Sequence, residues 1–108
     1  MAKAEIYNNG IRAGYLEKRG PNEYHFEYTT EYYSNASLPP ISLTLPKTRR
    51  SYQSPALFSF FAGLLAEGIN KDIQCRLLKI DEKDDFTRLL RTADEDTIGG
   101  ITVKEISE

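Results

Sequence analysis

The sequence has no tryptophan and only one cysteine, one methionine and one histidine in 108 residues. With Cys75 alone, no disulfide can form within the chain, so stability must come from burial, and a reducing compartment is expected. With His25 alone, a histidine-based metal cluster would need carboxylates or Cys75, and none stands at a recognisable ligand spacing. There is no excess of positive charge. Fourteen basic and 16 acidic residues are interspersed and give a net charge of -2. A nucleic-acid binder needs a clustered basic face to displace counterions, so direct nucleic-acid binding is not expected. Only Lys47, Arg49 and Arg50 gather into a basic group. No segment approaches the ~20 apolar residues that cross a bilayer, and "MAKAEIYNNG" lacks the apolar run of a signal peptide. The reading is cytoplasmic, with no membrane partner. Five prolines and seven glycines are too few for a disordered chain, and 40% hydrophobic residues suffice for one core. One domain over residues 1–108 is expected.

What is present divides by period. Ala4–Tyr7 and Ile11–Leu16 flank "NNG", whose residues tolerate the positive φ of a tight hairpin turn. "RGPN" turns the chain again into "EYHFEY", where Tyr24, Phe26 and Tyr28 alternate with Glu23, His25 and Glu27, giving one aromatic and one polar face. "TTEYY" suits a helical turn and "SNASLPP" a loop. "ISLTLP" alternates once more, with Ile41, Leu43 and Leu45 against Ser42 and Thr44, and predicts a strand that Pro46 ends.

After residue 53 the period lengthens. Ser54-Pro55 reads as a helix start and Gly68 as its stop, with Leu57, Phe58, Phe61, Leu64 and Leu65 forming a buried stripe and Phe60 lying off it. A second helix is predicted from about Asn70 to Leu78, pairing Ile73 with Leu77. A third runs from Asp84 or Asp85 through Arg91, uniting Phe86, Leu89 and Leu90. "IGG" then leads into a last strand, "ITVKEI". Strands, helices, then a strand predict an α+β domain: a mostly antiparallel sheet with about three helices packed on it.

No constellation of nucleophile, base and oxyanion donors can be assembled, so no enzyme and no cofactor are expected. His25 reads as a solvent-side strand residue, and Cys75 as a small buried hydrophobe. "DEKDD" lacks the glycine and distal glutamate of a calcium loop and reads as a solvated helix start. "IGG" lacks the Lys-Ser/Thr of a phosphate loop and reads as a turn. The tyrosine-bearing strand could stack single-stranded bases, but its interleaved glutamates repel phosphate and favour a core or interface face.

The order "AEIYNNGIRAGYLEK", "YHFEY", "PPISLTLP", "LFSFFAGLLAEG" and "GGITV" resembles the N-terminal subdomain of HipA-family serine/threonine kinases over nearly the whole chain. Pro40, Ser42, Leu43, Leu45, Pro46, Phe60, Phe61, Leu64, Leu65, Glu67 and Gly68 match the family pattern; Ala66 stands where proline is usual and Ala62 where aspartate is frequent. Full-length members continue into a kinase core with the ATP site and catalytic aspartate, whereas this sequence ends at Glu108. It is similar in this to the stand-alone small subunit, HipS, of split systems. That resemblance implies partners: a HipT/HipA-like serine/threonine kinase core, which the small subunit restrains, and a HipB-like helix-turn-helix protein in the same complex. It also implies a contact surface at Phe60, Ala66, Glu67, Gly68 and Ile69, where Ile69 replaces the aromatic residue that in small subunits can follow "EG" and help block the kinase site. Two roles stay open at this point: an antitoxin-like regulatory subunit, and a module supporting the folding or substrate choice of a kinase core without antitoxin activity.

Overall fold

A computed structural model describes residues 2–65, 68–81, 83–92 and 100–106. Strand β1 (Ala2–Asn8) and strand β2 (Ile11–Gly20) pair antiparallel across Asn9 and Gly10. Both turn residues take positive φ, 52° and 83°. This gives the mirror-image turn whose twist matches that of the strands it joins. Strand β3 (Glu23–Tyr28) returns antiparallel along β2. The short helix α1 (Thr30–Ser34) follows, its first turn capped by Thr29, whose hydroxyl accepts from the Tyr32 N–H at 3.2 Å. Strand β4 (Ser51–Ser54), helices α2 (Ser59–Ala62), α3 (Gly68–Leu78) and α4 (Asp85–Thr92), and strand β5 (Ile101–Glu105) complete the order. The sheet runs β4-β3-β2-β1-β5, antiparallel throughout. The fold is α+β, as the sequence predicts.

The alternation read in the strands sorts the two faces. Ala4, Ile6, Leu16, Tyr24, Phe26, Tyr28, Ile101 and Val103 are buried beneath the helices with Phe61, Phe86, Leu89 and Leu90. Each fully buried side chain of this size contributes roughly 1.5–3 kcal/mol. Two glycines are dictated by close approach. A Cβ at Gly14 would lie 2.4 Å from the Glu27 carbonyl oxygen and 2.9 Å from the Phe26 ring, so only glycine lets the aromatic strand close on β2. Gly100 has φ +77°, a Cβ there would meet Asn9 Oδ1 at 2.1 Å, and its carbonyl accepts from the Asn9 N–H at 2.9 Å. The first hairpin turn thereby fixes the entry into β5.

Three local expectations differ from the structure. "ISLTLP" forms no strand: Ile41 and Leu45 are 8% and 2% exposed, but Leu43 between them is 95% exposed. The Ser42 hydroxyl accepts from the Thr44 N–H at 3.1 Å, and the Ser42 carbonyl from the Leu45 N–H at 3.1 Å, so local turns take the groups a ladder would use. The edge strand is instead Ser51–Ser54, whose alternation is too short to read. The helix expected from Ser54 begins only at Ser59. Ser54 closes β4, and its hydroxyl accepts from the Ala56 N–H at 3.2 Å, a turn rather than a cap. Gly68 opens α3 instead of stopping the helix before it. The apolar stripe survives these shifts, because Phe61 is fully buried and Leu57, Phe58, Leu64 and Leu65 pack partly buried against the core; Phe60, expected off the stripe, packs partly buried against it as well.

Candidate functional site

The sequence-predicted contact surface lies at the joint between α2 and α3. Phe60 stands on α2, partly buried, its ring edge-on to Phe61 with centroids 5.2 Å apart. Gly68 and Ile69 form the first turn of α3. Ala66 and Glu67 lie outside the described residues. Farther along α3, Cys75 is buried as expected, while Ile73 and Leu77 turn outward at 47% and 75% exposure. Their i, i+4 spacing identifies a shared face, as the sequence suggests, but the described residues leave that face largely exposed.

A ladder of aromatic rings joins Phe60 to a second surface feature. Phe61 lies 5.7 Å from Phe26, Phe26 lies 4.9 Å from Tyr28, and Tyr28 stacks on Tyr32 at 5.8 Å. The far end of the ladder holds the loop of residues 38–46 by its backbone. The Tyr28 hydroxyl donates to the Leu45 carbonyl and accepts from the Ile41 N–H at 3.2 Å. The Tyr32 hydroxyl donates to the Pro39 carbonyl at 2.6 Å and accepts from Asn8 Nδ2 at 3.0 Å. The Tyr52 hydroxyl donates to the Pro46 carbonyl. Lys47 Nζ reaches the Asn35 and Leu38 carbonyls, each at 2.7 Å. Burial pushes the Tyr28 hydroxyl up to about 12, so it stays protonated and able to donate. Three tyrosines thus hold a loop rather than offer a stacking platform. Sequence reasoning missed the exposed apex at Leu43; the signal available was Pro39-Pro40 upstream together with hydroxyl residues on either side of it.

The opposite face of the sheet is polar and cross-paired. Arg12 Nη1 lies 3.2 Å from Glu5, Lys3 sits over the Tyr15 ring at 4.8 Å, and Lys104 over Tyr7 at 5.3 Å. A hydrogen bond from Arg19 holds Glu17 below the usual carboxylate range. His25 lies on this face, its Nδ1 3.4 Å from Arg19 Nη2. At the start of α4, Asp84 accepts from the Thr87 N–H at 3.1 Å and the Thr87 hydroxyl at 2.7 Å. Burial raises its pKa, but these two bonds and the charge of Lys18 together outweigh that and hold it below the usual range. Asp84 therefore caps the helix whose start the acidic run predicts. Among the described residues no group of three or more His, Cys, Asp or Glu could hold a metal ion. Nor is any described helix long and apolar enough to cross a membrane.

Comparison with known proteins gives this arrangement a family. A model of the HipA N-terminal domain matches residues 4–104. A solved structure titled "N-terminal domain of HipA toxin" superposes with a TM-score of 0.74 at 27% identity, covering 100% of this chain and 95% of that one. An uncharacterized protein of Haemophilus influenzae is 33% identical over 82 residues, spanning 76% of this chain and 73% of the relative. The chain belongs to the HipA N-terminal domain family.

Proposed function

We propose that this protein is a non-catalytic regulatory subunit that binds and restrains a separately encoded HipA/HipT-type serine/threonine kinase, in a complex that also accommodates a HipB-like helix-turn-helix protein. The observation that carries this reading is the likeness, along the whole chain, to a domain named as the N-terminal part of a HipA toxin. Two features of the structure support it. The joint between α2 and α3 sets Phe60 at the margin of the core with part of its ring open to a partner. Separately, α3 leaves Ile73 and Leu77 exposed. Exposed apolar side chains of this kind are what a subunit interface buries.

The test is co-expression of the chain with a separately encoded HipA-type kinase core. Wild type co-purifies with the kinase and restores growth. Phe60→Asp sets an unpaired charge in the desolvated contact, which interfaces tolerate poorly, and loses both while remaining folded by circular dichroism. Co-purification without any effect on growth would favour the module that assists kinase folding or substrate choice. Failure of the wild-type chain to bind the kinase would overturn the proposal.

A further inference from the structure

We propose that the loop of residues 38–46 is a second, preformed contact, in which Leu43 enters an apolar pocket with an acidic rim on the kinase subunit; this rests on the functional reading above. A single exposed leucine is ordinarily without meaning. Leu43 differs because of what is spent to hold it. Both flanking residues, Ile41 and Leu45, are buried in the core. The backbone on either side is tied down by Tyr28, Tyr32, Tyr52 and Lys47, and the Ser42 and Thr44 hydroxyls bond to each other at 2.9 Å across the apex. A loop fixed in this way loses little conformational freedom when it docks, so the burial of its apex is expressed almost fully as affinity. The apex itself makes no contribution to this domain's own core.

The chemistry of the partner follows from charge. From Tyr32 to Ala66 the sequence contains no Asp or Glu, while Lys47, Arg49 and Arg50 all fall within it. Arg50 Nη2 lies 3.9 Å from Glu27 Oε2 and shares its charge with that carboxylate, so Lys47 and Arg49 carry the basic character of this stretch around the apolar apex. Arg49 lies over the Tyr52 ring at 5.1 Å, and Arg50 donates to the Tyr28 carbonyl at 3.2 Å, so both cations are anchored to the same tyrosines that hold the loop. The complementary surface is an apolar socket with carboxylates at its edge. A leucine apex favours a protein socket over a nucleic-acid backbone, which offers phosphates and no such cavity. Phe60 lies within the same acid-free stretch and is connected to the loop through Phe61, Phe26 and Tyr28, so the two contacts are mounted on one aromatic core.

The experiment is calorimetric titration of the full chain and its variants into the kinase core. Leu43→Ala is expected to weaken binding about tenfold, the loss typical of an interface anchor, and Leu43→Asp to weaken it further, each with a wild-type melting temperature. Arg49→Glu is expected to weaken binding chiefly at low salt, because a rim charge acts through steering. If Leu43→Ala and Leu43→Asp bind with wild-type affinity while Phe60→Asp fails, this inference is wrong and the functional reading stands. If the wild-type chain does not bind the kinase, both fall. Equal loss of affinity and of melting temperature in Leu43→Ala would make the residue structural and refute the contact. A DNA gel shift by the chain alone that Arg49→Glu abolishes and Leu43→Asp spares would reassign the basic surface to nucleic acid and overturn the proposal.

Discussion

Replacing Tyr28 by Phe tests how the loop is held, because it removes one oxygen and leaves the ring. The ring keeps its edge-on contact with Phe26 at 4.9 Å and its stacking on Tyr32 at 5.8 Å, so no cavity opens. What is lost is the donor to the Leu45 carbonyl and the acceptor for the Ile41 N–H. Both partners lie at buried residues, and each is left unsatisfied at a cost of about 1–3 kcal/mol, so the variant should be less stable by roughly 2–6 kcal/mol. For a domain whose whole stability is about 5–15 kcal/mol this is a large share. Urea unfolding should show the loss as a lower midpoint at unchanged slope. The pH dependence gives an independent check. Tyr28 titrates near 10 when unfolded and about 12 when folded, so the folded state holds this proton more tightly. Its contribution is complete below pH 10 and declines as pH rises towards 12. Wild type should therefore lose stability over pH 10–12 more steeply than Tyr28→Phe, in which that titration is absent. A loss below about 0.5 kcal/mol, with parallel pH profiles, would show that the hydroxyl does not hold the loop.

The other expectations concern the scaffold. Phe61→Ala should cost about 3–5 kcal/mol by urea unfolding, since the ring is fully buried among Phe26, Phe58 and Phe60. Asp84→Ala should lose a helix cap worth about 0.5–2 kcal/mol. Because Asp84 is held below its usual pKa in the fold, its contribution is present above that usual value and disappears on acidification below it. The wild-type and variant stability curves should therefore converge at low pH.

Much of the sheet was legible, because strands half-buried against helices carry a period of two that a sequence displays directly. The Asn9-Gly10 turn, the inward Tyr24, Phe26 and Tyr28, and the closing strand at Ile101 all follow from that pattern. Helix α4 was legible for a related reason: Phe86, Leu89 and Leu90 face one core, and Asp84 caps the helix they define. Two of the failures share a physical source, which is competition from side-chain hydroxyls. Ser42 and Thr44 closed local turns where alternation predicted a ladder, and Ser54 closed a turn where it was read as a cap. The tyrosines were recognised as core or interface residues, but the division of labour among them was hidden, since which carbonyl a phenol reaches depends on tertiary packing. Of the two proposed contacts, Phe60 was singled out in the sequence, whereas Leu43 was not, because alternation placed it inside a strand.

The measurement that bears most directly on the account is the phosphoryl-transfer rate of the HipA-type kinase core as the purified chain is titrated into it. The account predicts that activity falls to a floor at a stoichiometric ratio, and that Phe60→Asp, folded but unable to bind, leaves the rate unchanged. Tight binding with undiminished phosphoryl transfer, or no binding at all, would contradict it.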